Sequence, residues 1–259
     1  MSYETIQYEV ADNVASITLN RPDKMNAFNQ QMLDEFVDVW SRIRVDDDVH
    51  AVVLRANGDR AFCTGVDVVE VYDRGDELWG ELDPGSRLAP KANQVWKPVI
   101  CAVHGMAAGG AFYWINESDI VICASDTTFF DPHVSYGLVA ALEPIGLTHR
   151  IPLGEALRIA LVGLDERVTA ARAEQIGLVS EVVEGSREAV WARAAELAAR
   201  IAAKPAAATQ GTVKAIWESL DMTRSGGQQV GLLYTQLGNP VGTAQVDRAT
   251  LARPQWEPR

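Results

Sequence analysis

A chain of 259 residues with 47% hydrophobic and 22% charged content is long enough to bury a sizeable core, and its balance is that of a soluble globular protein. The formal net charge of −12 repels a nucleic-acid backbone or an anionic lipid surface, so neither is expected as a partner. An anionic ligand must be met by local donors.

Cysteine usage and the N-terminus bound the compartment. Cys63, Cys101 and Cys123 are odd in number, lie in or beside predicted strands and show no metal-ligand spacing, which reads as buried reduced thiols and no metal. The start MSYETIQYEV is acidic and alternating, and no apolar run reaches 18 residues. The expectation is a cytoplasmic protein.

In chain order, 6–10 and 14–19 alternate apolar and polar around a short Asp-Asn connection and predict a β-hairpin. A polar stretch containing Pro22 follows. Residues 28–45 then carry Met32, Leu33, Phe36, Val37, Trp40 and Ile43 at helical spacing, with Asn29 as the N-cap. The run Val52-Val53-Leu54 predicts a buried strand, and 66–95 turns irregular, with charges and chain breakers. Further strands are predicted at 99–103 and 120–123, and helices at 155–162, 169–175, 187–203 and 206–220, the 169–175 helix capped by Thr169.

Two loops are set apart by their glycines. After the strand at 99–103 come Gly105 and the pair Gly109-Gly110, opening a predicted helix; after the strand at 51–54 comes AFCTGVD at 61–67. A glycine at a strand end lets a ligand approach the backbone, and first-turn N–H groups of a helix have no partner within it. Two such loops can aim one N–H each at one oxygen. A lone Gly-Gly reads equally as close packing of a helix on a sheet.

The motifs NRPDKMNA at 20–27, AFCTGVD at 61–67, AVHG at 102–105 with Gly109-Gly110, SDIVICA at 118–124 and QIGLV at 175–179, in that order, resemble the crotonase (enoyl-CoA hydratase/isomerase) superfamily along nearly the whole chain. The resemblance implies an α/β fold: a spiral of ββα turns over about 1–195 and a C-terminal helical region over 196–259 that trimerises, as a trimer or a pair of trimers. It implies an acyl-CoA substrate, with coenzyme A part of the substrate and no permanently bound cofactor. The irregular 66–95 stretch resembles the family's variable cover over the acyl pocket.

By motif position, the family's oxyanion donors fall on the backbone N–H groups of Val66 and Gly110. Proton transfer next to a thioester carbonyl puts negative charge on its oxygen, and two fixed dipoles there stabilise the enolate. The side chains depart from the pattern. Where hydratases of the family hold two glutamates, this chain reads Tyr113 and His133.

His133 titrates near neutrality and suits acid–base work, or it is a structural histidine bonding a carbonyl. Asp131 and Glu143 are the acids that would orient it or act themselves. Glu143 sits among apolar residues, where burial would raise its pKa, or it is an exposed helix-start residue. Tyr113 is either a pocket-facing phenol or a core aromatic. Glu117 and Asp119 read as capping or pairing groups.

For coenzyme A, the resemblance implies contacts around Lys24 and Ala27 and along the backbone of Cys63, Gly65 and Asp67, with Trp256 of a basic-Pro-x-aromatic tail covering the nucleotide. Three activities stay open: an acyl-CoA enzyme working through an enolate; a C–C bond hydrolase using His133 and a carboxylate, as in the superfamily's β-diketone hydrolases; and a thioester binder without catalysis.

Overall fold

The structure, a computed structural model, describes residues 3–70, 83–247, 249, 256 and 258. Its contacts divide the chain into two compact units, Met1–Ala202 and Ala203–Arg259.

The first unit opens with the predicted hairpin, β1 (Ile6–Ala11) antiparallel to β2 (Val14–Leu19). Asp12 and Asn13 both take positive φ at its turn, a conformation their short polar side chains tolerate and one that matches the strand twist. Helix α1 (Gln30–Val45) starts where expected: the Asn29 side chain accepts from the Met32 N–H at 3.1 Å. It buries Met32, Leu33, Phe36, Val39, Trp40 and Ile43, while Val37 faces outward. Phe28 is not helical; it forms an isolated β-bridge with Val66.

Strand pairs then alternate with helices: β3 (Ala51–Ala56), β4 (Ala61–Cys63) and α2 (Gly85–Leu88); β5 (Val99–Val103), β6 (Met106–Ala108) and α3 (Phe112–Glu117); β7 (Ile120–Ala124), β8 (Thr128–Phe130) and α4 (Leu142–Leu147). Next come α5 (Leu153–Val162), β9 (Val168–Thr169), α6 (Ala170–Gln175), β10 (Glu181–Val183) and α7 (Arg187–Ala202). Each pair gives its first strand to one sheet and its second to the other, in the orders β1-β2-β3-β5-β7-β10 and β4-β6-β8-β9. The inner pairings are parallel, which is the spiral of ββα turns expected from the resemblance.

Alternation along the buried strands separates two cores. Val52, Leu54, Val99, Cys101 and Val103 face a layer that includes Phe36, Trp40, Phe62 and Trp114, whose rings lie 5.0–6.3 Å apart, centroid to centroid. Val53, Ile100, Ala102 and Ile122 face α7, which presents Val190, Ala194, Ala198 and Ala202 at four-residue spacing. Three alanines on that stripe let the helix lie close on the sheet. All three cysteines are buried and free, and burial pushes the Cys63 and Cys123 thiols up to about 12.

In the second unit α8 (Ala206–Ser219) and α9 (Arg224–Ala244) pack on each other. Tyr234 donates to Glu218, which also takes Lys214. Among the described residues no helix is long and apolar enough to cross a membrane. Residues 71–82 of the irregular stretch and the Arg253-Pro-Gln part of the tail lie outside the described residues.

Candidate active site

Peptide geometry aims the two loop amides. A trans peptide points its C=O and its N–H in opposite directions. The Phe28 N–H donates to the Gly65 carbonyl at 2.9 Å, and the Asp67 N–H donates back to the Phe28 carbonyl at 2.8 Å. The Gly65 carbonyl therefore faces the 28 segment, and the Val66 N–H, at the other end of that peptide, faces away from it. Gly109 and Gly110 form the start of a 3-10 helix at 109–111, continuous with α3, and the Phe112 N–H bonds back to the Gly109 and Gly110 carbonyls. The Gly109 carbonyl thus points along the helix, and the Gly110 N–H points back out of its N-terminus. Among the described residues neither amide donates to a loop or turn carbonyl.

The two loops touch. A Cβ on Gly65 would lie 3.1 Å from the Gly110 nitrogen and 3.3 Å from the Ala108 carbonyl, and Gly65 sits at φ +90°. Only glycine fits that approach. A Cβ on Gly110 would meet Phe28 Cε1 at 2.4 Å, so the Phe28 ring closes the other side.

Beside this pair lies a cluster of titratable groups. Asp131 follows β8, is fully buried, and accepts both the His133 N–H at 2.9 Å and His133 Nδ1 at 2.7 Å. With Nδ1 carrying the shared proton, Nε2 is turned to Glu143, whose Oε1 is 3.9 Å away, beyond hydrogen-bond reach. The Glu143 carboxyl is buried and takes a hydrogen bond from the Tyr113 side chain. Asn116, one turn after Tyr113 on α3, donates to the Glu143 carbonyl at 2.9 Å. His133 Cε1 is 3.7 Å from where a Cβ on Gly109 would stand. Asp131, His133, Glu143 and Tyr113 thus form a cluster beside the glycine loop, bonded in two pairs with a gap between His133 and Glu143.

The electrostatics favour protons on this cluster. The hydrogen bond to Asp131 and the charge of that carboxylate raise the His133 pKa above the ordinary 6.5, against partial desolvation. Burial raises Glu143 above 4.5, and the bonds it accepts only partly offset this. The second Asp131 oxygen, Oδ2, is buried and has no hydrogen-bond partner among the described residues. Asp131, His133 and Glu143 also place three metal-type donors within 4.8 Å of one another. With His133 Nδ1 bonded to Asp131, the pair left for an ion is Nε2 and Glu143, fewer than the three protein ligands of a catalytic zinc site.

The residues expected around coenzyme A fall out differently. Lys24 is exposed on a 3-10 turn, and Ala27 is buried with its carbonyl held by Arg21. The Cys63 sulfur accepts the Gly65 N–H at 3.3 Å. Asp67 turns its carboxylate to Arg21 and to the Val69 and Glu70 amides. Trp256 is exposed. Glu117 and Asp119 pair and cap: Glu117 accepts the Lys91 and Ala92 amides, and Asp119 takes the Lys91 ammonium at 2.8 Å. The bond of Arg21 to Asp67 and that of Asn116 to Glu143 carry no local sequence signal, because the partners lie 46 and 27 residues away.

Comparisons with known proteins give the family. The family model for enoyl-CoA hydratase/isomerase matches residues 9–236. The chain is 32% identical over 234 residues to an (E)-benzylidenesuccinyl-CoA hydratase of Thauera aromatica, covering 90% of this chain and 88% of that one. It is 32% identical over 191 residues to a short-chain-enoyl-CoA hydratase of Clostridium acetobutylicum, covering 72% and 71%. A crystal structure of an enoyl-CoA hydratase/isomerase from Mycobacterium paratuberculosis superposes with a TM-score of 0.83 at 36% identity, covering 91% of this chain and 90% of that one. The chain belongs to the enoyl-CoA hydratase/isomerase family, the crotonase superfamily.

Proposed function

We propose that this protein is an enzyme that binds an acyl-CoA thioester, polarises its carbonyl between the Val66 and Gly110 N–H groups, and moves protons on the acyl chain with the cluster of Asp131, His133, Glu143 and Tyr113. The observation that carries it is the placement of the His133 ring beside the glycine loop, its Cε1 3.7 Å from where a Cβ on Gly109 would stand, which sets a proton-handling group near an outward-facing amide. The relatives' enoyl-CoA chemistry supports the substrate class.

On this reading the thioester oxygen gains charge as an enolate forms, and the two amides hold that charge without reorganising. Asp131 fixes the His133 tautomer and supports the imidazolium, leaving Nε2 to take or return a proton. Glu143, held toward its neutral form by burial, is the second donor, steadied by Tyr113. Two groups of different character replace a symmetric glutamate pair, so water addition through two glutamates is not the step proposed. Coenzyme A enters as part of the substrate. Assembly as a trimer belongs to the same proposal and is checked by the mass of the native protein in solution.

The test is incubation with a panel of enoyl-, branched and β-dicarbonyl acyl-CoAs, followed by mass analysis. Turnover by wild type and a loss of about 10²–10⁴-fold in His133→Ala support the reading. CoA binding without any change in the acyl groups, alike in wild type and variant, would make the protein a binder only.

A second reading draws on the Asp131–His133 bond: an oriented imidazole suits activation of water toward a carbonyl, the first step of C–C bond hydrolysis in a β-diketone. Turnover of a cyclic β-diketone without coenzyme A, abolished in His133→Ala, would favour it.

A further inference from the structure

We infer that Arg21 is a positioning residue that orients and polarises the Val66 N–H through two peptide groups in series. This rests on the reading of Val66 as an oxyanion donor. Arg21 Nη1 donates to the Ala27 carbonyl at 2.5 Å. That carbonyl shares its peptide with the Phe28 N–H, which donates to the Gly65 carbonyl at 2.9 Å. The Gly65 carbonyl shares its peptide with the Val66 N–H. The trans geometry aligns guanidinium, first peptide, second peptide and outgoing N–H head to tail. A cation at the head of such a chain strengthens each following donor, and the effect is largest where water is excluded.

The surroundings keep the chain in register. The Arg21 side chain is 11% exposed, and its Nη1 also meets Asp67 Oδ2 at 3.0 Å while Nη2 meets Glu70 at 2.9 Å. Asp67 Oδ1 accepts the Val69 and Glu70 amides, so the stretch just after Val66 is tied to the same guanidinium. Asn26, at φ +54°, accepts the Arg21 N–H and donates to the Asn57 and Ala61 carbonyls, which seats the Arg21 loop against β4. Among the described residues the bonds of Arg21 reach no group of the His133 cluster, so it acts on the carbonyl end of the site alone.

The experiment reads the carbonyl itself: the infrared stretching frequency of butyryl-CoA labelled with carbon-13 at the thioester carbon, bound to the full-length protein. In wild type the band moves down from its free value. In Arg21→Met it returns most of the way, with kcat on the active acyl-CoA falling about tenfold and KM nearly unchanged; Arg21→Lys is intermediate. Arg21→Met leaves Asp67 buried without its partner, so the double variant Arg21→Met/Asp67→Asn repeats the measurement without a stranded charge. Glu70→Gln, which spares the bonds to Ala27 and Asp67, keeps the wild-type band. A folded Arg21→Met or double variant with the full wild-type shift overturns the role of Arg21 alone. No shift in wild type overturns the oxyanion reading and this inference with it.

Discussion

The imidazole of His133 lies beside Gly109, its Cε1 3.7 Å from the place a Cβ would occupy. The residue that carries the proton chemistry in our proposal and the loop that carries one amide donor therefore share a boundary one side chain thick. Substitution at the two glycines of that loop separates packing from catalysis.

Gly109→Ala meets only ordinary contacts, the nearest being Pro132 Cδ at 3.5 Å, but it places a Cβ at φ +52°. The expected cost is about 1–2 kcal/mol of stability, seen as a melting temperature several degrees lower, with measurable activity retained. Gly110→Ala drives a Cβ into Phe28 at 2.4 Å. The loop must shift, and kcat is expected to fall about 10²–10³-fold, the scale for losing one oxyanion donor.

At Val66 the proposal predicts indifference to the side chain. Val66→Ala keeps kcat within a few-fold, whereas Val66→Pro, which has no N–H, falls by about the same 10²–10³. Equal losses in the two variants would mean that the side chain, not the amide, matters.

Asp131→Asn removes the largest cause of the raised His133 pKa. The imidazole pKa in NMR titration is expected to move down, and activity to fall in step as Nδ1 loses its charged acceptor. The sign for stability follows. With a folded value above 6.5, protonated His133 stabilises the wild type below about pH 6.5, and that contribution is lost as pH rises through the raised value. The stability gap between wild type and Asp131→Asn should therefore narrow at high pH.

Glu143→Gln has a pH signature of its own. Burial raises the folded-state carboxyl above 4.5, so ionising it opposes folding: the stability of the neutral form is complete below about pH 4.5 and is lost as pH rises through the raised value. The variant cannot ionise, and its melting temperature relative to wild type should climb over that range. A pH-independent difference would contradict the burial argument.

Tyr113→Phe deletes a hydrogen bond that holds the Glu143 pKa down. The Glu143 pKa is expected to rise further, moving the corresponding limb of the pH–rate profile to higher pH. An unmoved limb would assign it to another group.

Much of the fold is legible because its signals are local. Asn29 and Thr169 cap their helices through bonds three residues ahead, and the hairpin turn is set by two adjacent residues suited to positive φ. Helix α9 escaped because five glycines and Pro240 within it read as breakers, while packing on α8 supplies what propensity lacks. Phe28 looked like the start of a helical stripe, yet the carbonyl of Gly65 claims its N–H. The site divides in the same way. Asp131 and His133 are two residues apart and their bond is readable from that spacing. The meeting of His133 with Glu143, and the reach of Arg21 to Asp67, are made by the winding of the spiral, which spacing does not encode.

Main-chain donors have an evolutionary consequence. A hole built from peptide groups survives replacement of nearly every neighbouring side chain, provided that the glycines and the Phe28 bridge hold its shape. On the proposed reading, positions 113, 133 and 143 are then free to drift, and each new combination would offer another reaction to the same activated carbonyl. The scaffold preserves the intermediate and leaves its fate open to selection.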